Sequence, residues 1–441
     1  MSHEEYGFRQ VVDDVYICVA DADTRAVMGA KTSRAPNLEK RWQELMDSND
    51  GKQWPWGDPP DSVKQFLDKY LKEYMHSSIA EMAEVFVHCR GLGWPTAWLI
   101  EDNPLFVGQE VSTRAVDVLG DSKEPCKNAD PRLESLHYEW VELFETLKDQ
   151  SGDSGYKFDE IRWALPGTTR SGVTMCNKVR DGVRQLEKIA GMGDGYEELT
   201  KPMMEGFKAY APRAVSAVDR GPRNPSSMWS PKVAKIPLTL GDEKRKNNCV
   251  KVRSKVSVRT DIPGEDVSRD GPGEYLDDSW HFYGPMEFEV TCSVAAARDW
   301  HRHRSVMPWE VSVVLDEETN KLVKSPFYDM SSVDDSLWNR TDYVFHEILN
   351  DKNTPDWSAL YALPFGATVR LRCHATLPYL MYMLELRYSS SGSNYEYKEQ
   401  AAQGIYHLSH QLGPSITQRE HILGILDDDD LRRWRRIKCY I

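Results

Sequence analysis

Two pairs of similar segments, separated by nearly the same distance, constrain the fold of this chain more than any other feature of its sequence. The segment GQEVSTRAV at 108–116 is similar to PWEVSVVLD at 308–316, so that Glu-Val-Ser recurs 200 residues later. The segment ALPGTT at 164–169 recurs as ALPFGAT at 362–368, at an offset of 198 residues. Two matches in the same order at such similar offsets indicate an internal duplication.

The segment between the copies has the composition of a loop. DRGPRNPSSMWSP at 219–231 is rich in Pro, Gly, Ser and Asn, the residues that favour turns. We therefore predict a first half over residues 1–215, a linker over 216–230, a second half over 231–426 and a charged tail over 427–441. In the tail, acidic residues precede basic ones, which is the order that the helix dipole favours.

Strand and helix patterns alternate along both halves. Strands are predicted for DDVYICVA at 13–20, VAKIPLTL at 233–240 and MEFEVTCSV at 286–294. Helices are predicted for PPDSVKQFLDKYLKEYM at 59–75, LESLHYEWVELFETLKD at 133–149 and LPYLMYMLELR at 377–387. No strand is followed by GxGxxG or GxxxxGK[ST], which argues against a Rossmann or P-loop nucleotide site.

Charge and composition exclude several classes of function. The chain has 441 residues and a net charge of −14, so it is a poor binder of polyanions, and we expect no nucleic-acid partner. No apolar run approaches the roughly 18 to 20 residues that span a bilayer, and the first residues do not resemble a signal peptide. We expect no membrane association and a cytoplasmic location. The eight cysteines show neither CxxC pairs nor zinc-ligand spacing, so neither a metal site nor a disulfide framework is expected.

The stretch WHRHRSVMPWEVS at 300–312 concentrates positive charge in this acidic protein. The segment leading into it, VAAARDWHRHR, is compatible with a helix on which Arg298 and Arg302 share a face. Guanidinium groups bind phosphates bidentately, and a histidine between them can stack on a planar heterocycle. A solvated basic face is the alternative. The two histidines are two positions apart and do not converge on one metal ion.

These residues resemble the flavin-dependent thymidylate synthase (ThyX) family. Arg302-His303-Arg304 followed by seven residues and Ser312 is similar to the RHR-x7-S signature, and ARDW is similar to the ARQW that leads into it. Several shorter segments resemble other motifs of the family in the same order: GAKTS, HSSIAEM, QEVSTR, RWALPGTT and NKVR in the first half, and LPYLMYMLELR in the second.

The resemblance implies roles for these residues. Around FAD it places Ser33, Ser78, Glu81, Arg180, Arg302, His303 and Arg304. Around an anionic pyrimidine nucleotide it places Gln109, Glu110, Ser112, Arg114, Arg162, Arg302 and Arg387. Ser112 would position the base, and His76 would lie near the folate or flavin unless it is an ordinary residue at a helix start.

The implied chemistry is reductive methylation at pyrimidine C5, most simply of dUMP to dTMP. NADPH and methylenetetrahydrofolate would be the co-substrates. The implied fold is α+β, with two tandem halves that each form a curved, mostly antiparallel sheet packed with helices and together form a pseudo-dimer. A hydroxymethylase, a methylase of another pyrimidine nucleotide and a non-catalytic relative that binds no flavin remain alternatives.

The two halves depart from the family motifs in complementary ways. The first half has Asp102-Asn103-Pro104 at the RHR position and Ile189 at the arginine of the L-x-L-R motif. The second half has lost other motif residues, and the replacements are Asp299, Val314, Leu360 and Pro378. Family members are homotetramers whose sites are assembled from several subunits. We therefore predict composite sites between unlike halves, half of the possible sites inactive, and a homodimer of the fused chain that mimics the tetramer.

Overall fold

The computed structural model of this chain describes residues 8–12, 15–18, 37, 40, 84–101, 107–120, 122–127, 129–151, 157–190, 196–210, 215, 232–236, 250–254, 286–303, 309–354, 356–389, 395–411 and 425. Several predicted features lie outside these residues: the helix at 59–75, the linker, the tail and the site residues Ser33, His76, Ser78, Glu81 and Arg304. The backbone of Arg180 is described as part of a helix, but its side chain is not.

The chain divides into two compact units. The first comprises Met1–Ser230 with Asp335–Pro364, and the second comprises Pro231–Asp334 with Phe365–Ile441. The boundary after residue 230 coincides with the end of the predicted linker. A segment of the predicted second half, Asp335–Pro364, nevertheless groups with the first unit, so the compact units and the sequence halves do not coincide.

The described strands are, in chain order, β1 (Phe8–Val12), β2 (Val15–Cys18), β3 (Glu84–Leu92), β4 (Gly108–Glu110), β5 (Ser171–Lys178), β6 (Lys232–Ile236), β7 (Val250–Ser254), β8 (Met286–Ser293), β9 (Trp309–Asp316) and β10 (Thr368–Ala375). The strands predicted near residues 13–20, 233–240 and 286–294 are confirmed as β2, β6 and β8. The remaining residues predicted for β2 and β6, at 13–14, 19–20 and 237–240, lie outside the described residues.

The described helices are α1 (Trp94–Glu101), α2 (Glu134–Gln150), α3 (Lys157–Ile161), α4 (Val179–Ala190), α5 (Tyr196–Tyr210), α6 (Val294–His301), α7 (Asp335–Asn350), α8 (Leu377–Ser389) and α9 (Tyr395–Gln411). Short 3-10 helices lie at Pro131–Leu133, Arg162–Ala164 and Asp356–Ala362. The predicted helices at 133–149 and 377–387 are confirmed as α2 and α8. No helix among the described residues is both long and apolar enough to cross a membrane.

Each unit contains one five-stranded sheet. The first sheet has the order β1-β2-β3-β5-β4, and all its neighbouring strands are antiparallel. The second has the order β6-β9-β10-β8-β7, which is antiparallel except for the parallel pair of β6 with β9. Read from its other edge, the second sheet repeats in β7-β8-β10-β9 the order of β2-β3-β5-β4. Mixed helices and mostly antiparallel sheets confirm the predicted α+β class.

The core of the first sheet lies on the face that packs against α4 and α5. Side chains alternate across a strand, so Val85, Val87 and Cys89 of β3 share this face and are buried. They meet apolar residues of the helices, among them Phe207 of α5. Gly182 of α4 permits the close approach of the two helices, because a Cβ atom there would lie 2.6 Å from Cζ of Phe207.

In the second unit, aromatic side chains fill the core. Phe288 of β8 is fully buried against Trp300 of α6 and Trp309 of β9, with ring centroids 5.4 and 6.4 Å away. The Trp300 indole N–H donates to Oε1 of Gln400 at 2.8 Å, which satisfies a buried donor. The predicted pattern of β8 thus gives a strand whose apolar face supports helices α6 and α9.

Helix α2 explains why a late segment of sequence belongs to the first unit. The indole N–H of Trp140 in α2 is buried and donates to Thr341 of α7 at 3.0 Å, and its ring meets Trp338 edge-on. Arg132, just before α2, pairs with Asp130 at 2.8 Å and with Asp351 after α7 at 3.1 Å. These paired polar groups attach α7 to the first unit.

Candidate functional site

Helix α6 positions the conspicuous cationic segment of the second unit. Ser293 caps its first turn, because the side-chain oxygen accepts the N–H of Ala296 at 3.0 Å. Both the hydroxyl and the N–H of Ser293 donate to the carboxylate of Glu396, at 2.6 and 2.7 Å. The helix ends at His301, and Arg302 is its C-cap with φ −71° and ψ −3°. The segment compatible with a helix thus forms one up to His301, and the backbone of Arg302 still has helical angles.

Arg298 and Arg302 have different surroundings. Arg298 is buried, and its guanidinium lies 5.0 Å from the centroid of the Phe365 ring. Arg302 is partly exposed and donates from Nη2 to the carboxylate of Asp299, which is buried. Asp299 stands where the resemblance places a glutamine. The replacement places a carboxylate in contact with the guanidinium group of Arg302, the first arginine of the Arg302-His303-Arg304 motif.

His303 and Arg387 form the second part of this cluster. The Nε–H of Arg387 donates to Nε2 of His303 at 2.6 Å, and its Nη2 donates to the carbonyl oxygen of Asp299 at 2.6 Å. Because arginine is only a donor, the hydrogen bond assigns Nε2 of His303 as an acceptor and the imidazole as neutral. The Arg387 guanidinium also lies 5.3 Å from the centroid of the Tyr397 ring. The structure thus brings Arg302, His303 and Arg387 together with Asp299 and Tyr397.

In the first unit, one carboxylate links two of the predicted arginines. Nε of Arg114 donates to Oδ1 of Asp159 at 3.1 Å, and Nε of Arg162 lies 3.3 Å from the same oxygen. Arg162 is almost fully buried in a 3-10 helix, where an unpaired charge would be costly. Asp159 was not predicted as a site residue, because no local pattern in the sequence links residue 159 to residue 114. The acidic residue three positions before Arg162 was the one available signal.

The remaining predicted nucleotide-side residues lie at the end of β4 and in the turn that follows. Glu110 is buried, and its carboxylate accepts the Ser171 hydroxyl at 3.3 Å. Ser112 is half-buried, and its carbonyl oxygen accepts the N–H of Val116 at 3.1 Å. Gln109 is exposed. These residues lie in the same unit as Arg114 and Arg162, whereas Arg302 and Arg387 lie in the other.

The two Glu-Val-Ser segments differ in strand register. Glu110 pairs with Val173 of β5, whereas Glu310 pairs with Arg372 of β10. Arg372 lies between the buried residues Leu371 and Cys373, as residue 174 lies between the buried residues Val173 and Met175. Burial therefore matches Arg372 with residue 174 and not 173. A shift of one residue turns a side chain to the opposite face of a sheet. The two glutamates, alike in sequence, therefore have different surroundings.

Thiol and metal chemistry find no support among the described residues. The five cysteines whose side chains are described (Cys89, Cys126, Cys176, Cys292 and Cys373) form no disulfide with one another. Burial raises the pKa of Cys89 to about 12 and also raises that of Cys373, so neither forms the reactive thiolate near neutral pH. Within the same residues no three His, Cys, Asp or Glu side chains are grouped to hold a metal ion.

The part of the chain that carries the RHR cluster matches a known family. Residues 283–414, under a third of the chain, match the model of the family Thy1, described as thymidylate synthase complementing protein. This match confirms the family resemblance for the second half and contains Arg302, His303 and Arg387, whereas the similar segments of the first half lie outside it. None of the curated proteins matches the chain.

One solved structure is also similar to part of the chain. It is that of the UMP/dUMP methylase PolB from Streptomyces cacaoi bound with 5-Br dUMP, with 16% sequence identity. The match covers 47% of this chain and 96% of that chain, with a TM-score of 0.27. This TM-score is too low to support an inference about fold or substrate.

Proposed function

We propose that this chain, whose residues 283–414 belong to the thymidylate synthase complementing protein family, is a flavin-dependent enzyme that methylates C5 of a pyrimidine nucleotide. The reaction proposed first is dUMP to dTMP, with methylenetetrahydrofolate and NADPH as co-substrates. One observation carries the proposal. The matched segment is also the segment in which Arg302, His303 and Arg387 come together.

The residues of this cluster fit a flavin. FAD carries a pyrophosphate and a planar ring with carbonyl oxygens, and guanidinium groups suit both. Arg302 and the neutral imidazole of His303 would hold it, together with Arg304, Ser33, Ser78, Glu81 and Arg180. When bound, the flavin supplies the hydride of the reductive methylation. The work of the protein is to orient the nucleotide against that ring and to exclude water.

The nucleotide is proposed to contact the arginines of the first unit. Asp159 accepts a hydrogen bond from Arg114 and lies 3.3 Å from Nε of Arg162, so both guanidinium groups would be oriented before a ligand arrives. Ordered positive charge stabilises the negative charge that develops on a pyrimidine when C5 becomes nucleophilic. Ser112 would position the base, and Gln109, Glu110 and Arg387 complete the proposed set.

Sites composed of unlike halves, and a homodimer of the chain, are part of the same proposal. The repeated order of four strands in the two sheets supports a tandem duplication. The complementary loss of motif residues supports composite sites, because neither half keeps a full set. Size measurement in solution, followed by mixing of variants from opposite halves, would test the arrangement: restored activity in mixed dimers requires sites shared between chains.

The flavin spectrum tests the central proposal. We expect the purified full-length chain to bind FAD and to release tritium from C5-labelled dUMP when NADPH and methylenetetrahydrofolate are present. Arg302→Ala should lower flavin content strongly, whereas the control Arg340→Gln should not. Arg340 is exposed on α7 and pairs only with Glu139 among the described contacts, so its change removes the same charge at a distance. A chain that remains colourless with added FAD would refute methylation of dUMP, and equally that of another pyrimidine nucleotide, and would favour a non-catalytic relative.

The ion pair between Asp299 and Arg302 favours a second candidate. An arginine that is already neutralised binds an anionic substrate less strongly, so the preferred nucleotide or one-carbon product would differ from the family's. The candidate is a methylase or hydroxymethylase of another pyrimidine nucleotide. Tritium release with dUMP, UMP and dCMP, and product analysis by mass, distinguish the two. Asp299→Gln should shift preference toward dUMP, and an unchanged preference would remove the reason for this candidate.

A further inference from the structure

A cavity of about 360 Å³ lies within the first unit, apart from the arginines that contact Asp159. Its described lining residues come from β3, the start of β5, the turn after β4 and one earlier loop position: Asn37, His88, Arg90, Gly91, Val111, Val118, Ser122, Arg170, Ser171 and Gly172. The volume is at the lower end of the range of about 300 to 1,000 Å³ that small-molecule sites occupy. None of the motif residues assigned above to FAD or nucleotide is among these lining residues.

The charge of the cavity is one-sided. Two arginines, Arg90 and Arg170, line it, and none of its described lining residues is acidic. The Nε–H of Arg170 donates to the carbonyl oxygen of Pro125 at 3.0 Å. This hydrogen bond restrains the side chain and does not use its two terminal nitrogens. Guanidinium groups in a partly enclosed cavity favour an anion with several oxygens, because each can donate two parallel hydrogen bonds.

The polar residues between the arginines are uncharged. Ser122 and Ser171 supply hydroxyl groups, and His88 is a neutral imidazole, because burial and the nearby Arg90 lower its pKa to about 3. Nδ1 of His88 is 2.8 Å from Oγ1 of Thr174. Its Nε2 is buried and has no hydrogen-bond partner in the described part of the chain. A buried polar atom without a partner costs free energy unless a water or ligand satisfies it.

Two glycines open the cavity. At Gly172 a Cβ atom would lie 3.3 Å from the carbonyl oxygen of Cys89 and 3.4 Å from Cγ2 of Val111, so a side chain here would occupy the space. Gly91 has a φ of 72° where the pairing of β3 with β5 is irregular between Arg90 and Leu92. Glycine adopts this left-handed conformation without strain, and the irregularity re-aims Arg90 relative to a regular strand.

We propose that this cavity binds the phosphate group of a small phosphorylated ligand between Arg90 and Arg170. The two guanidinium groups hold the phosphate oxygens, and the Ser122 hydroxyl, which accepts the N–H of Glu124, donates a further hydrogen bond. The cavity has room for a phosphate with a sugar-sized group attached, so the source is either a nucleotide or another small phosphate ester, or free phosphate. This site does not depend on flavin binding and goes beyond the proposed methylation.

Calorimetry on the full-length chain tests the site with three probes: inorganic phosphate, UMP and uridine. We expect phosphate and UMP to bind and uridine to bind at least about tenfold more weakly than UMP, because the charged group supplies most of the affinity. Stronger binding of UMP than of phosphate identifies a nucleotide-type ligand, and equal binding identifies phosphate alone. Absence of binding by both phosphate and UMP would overturn the proposal.

Variants locate the binding. Arg90→Gln and Arg170→Gln should each weaken phosphate binding about tenfold or more, since a hydrogen bond to a charged group is worth about 1.5 to 3 kcal/mol. Arg170→Lys should weaken it less, and the distant control Arg340→Gln should leave it unchanged. If the chain with Arg170→Gln does not fold, the phosphate affinities of Arg90→Gln and Arg170→Lys still show whether this cavity binds phosphate. Phosphate and UMP binding that survives Arg90→Gln and Arg170→Gln but is lost in Arg162→Gln would refute the assignment to this cavity.

Flavin content separates the two proposals. It should stay at the wild-type level in Arg90→Gln and Arg170→Gln, because neither residue belongs to the proposed flavin set. A chain that binds phosphate through Arg90 and Arg170 but no FAD retains this site and loses the proposed function. A chain that binds FAD while these variants bind phosphate normally retains the function and loses this site.

Discussion

The two sheets share the order of four strands but differ in the chemistry of one face. Matched by the buried residues on either side of them, the pair His88–Thr174 of the first sheet corresponds to the pair Glu289–Arg372 of the second. In the second sheet Nη2 of Arg372 donates to the Glu289 carboxylate at 2.9 Å. In the first sheet a neutral imidazole and a hydroxyl take these places. The same frame thus carries an ion pair in one unit and an uncharged pair in the other.

The neighbouring position shows why one sheet has the cavity. Arg370 of β10 corresponds to Gly172 of β5, and its Nε lies 3.9 Å from Glu289. Where the second sheet has a long side chain held by a carboxylate, the first sheet has none, and the cavity occupies the space. The positive charge beside the cavity comes from Arg90 and Arg170, which line it. The difference shows how one strand order can support a structural ion-pair cluster or a ligand site.

The largest expected effect tests the shared frame itself. Phe288 corresponds to Val87 by strand pairing, and both are buried beneath the helices that follow. Phe288→Ala removes an aromatic side chain packed against two tryptophans and should cost about 3 to 5 kcal/mol of unfolding free energy. Val87→Ala should cost about 2 kcal/mol by the same reasoning. Urea unfolding monitored by circular dichroism measures both, and equal costs would contradict the unequal packing of the two cores.

A smaller effect is expected when the ion pair of the second sheet is broken. Arg372→Met leaves the buried carboxylate of Glu289 without its shortest hydrogen bond. We expect a loss of about 2 kcal/mol, less than for a fully enclosed pair, because Arg372 is itself partly exposed. Adding Glu289→Gln to Arg372→Met should recover much of the loss. The corresponding change in the first sheet, Thr174→Val, leaves no charged group without its partner, so it should cost less unfolding free energy. A loss as large as that of Arg372→Met would contradict the proposed difference between the two sheets.

Much of the frame could be predicted from local sequence, because its signals are local. The alternating pattern of β8 and the spaced apolar residues of α2 can be recognised without knowledge of any distant residue. The two pairs of similar segments indicated a duplication but not the order of the strands. The site was only partly predictable. Asp159 between two arginines and the pairing of Asp299 with Arg302 depend on where the chain returns in space. The register shift between Glu110 and Glu310 was also hidden, since identical letters do not fix strand pairing.

The cavity itself can be narrowed without removing charge. Gly172→Ala adds a methyl group that meets the Cys89 carbonyl and Val111 at slightly short distances, so the cost in stability should stay below about 1 kcal/mol. Phosphate binding should weaken several-fold, because Gly172 lines the cavity and the methyl group takes space there. Gly182→Ala, in the helix core of the same unit, is the contrasting control: it clashes with Phe207 and should lower stability but not phosphate affinity. Calorimetry and thermal unfolding on both variants check the split.

The smallest effect concerns pH and distinguishes the imidazole of the first sheet from the carboxylate that replaces it in the second. Burial, reinforced by Arg90, lowers the pKa of His88 from 6.5 to about 3 in the folded chain. Between these two values the unfolded chain binds a proton at this residue and the folded chain does not. The contribution of His88 to stability is therefore complete above pH 6.5 and falls as the pH drops toward 3, by about 1 kcal/mol per pH unit.

His88→Gln, which keeps a neutral polar side chain, should lose this dependence, so the difference in unfolding free energy between wild type and variant should narrow by about 1 kcal/mol from pH 6.5 to pH 5.5. The comparison uses the difference between two proteins because carboxylates titrate in both and cancel. Glu289→Gln in the second sheet is the contrasting variant, since it removes a titrating carboxylic acid where His88→Gln removes a titrating base. A difference in unfolding free energy between wild type and His88→Gln that does not change over this range would mean that His88 is charged or hydrated in the folded chain. The description of His88 as a neutral residue of the proposed phosphate cavity would then be wrong.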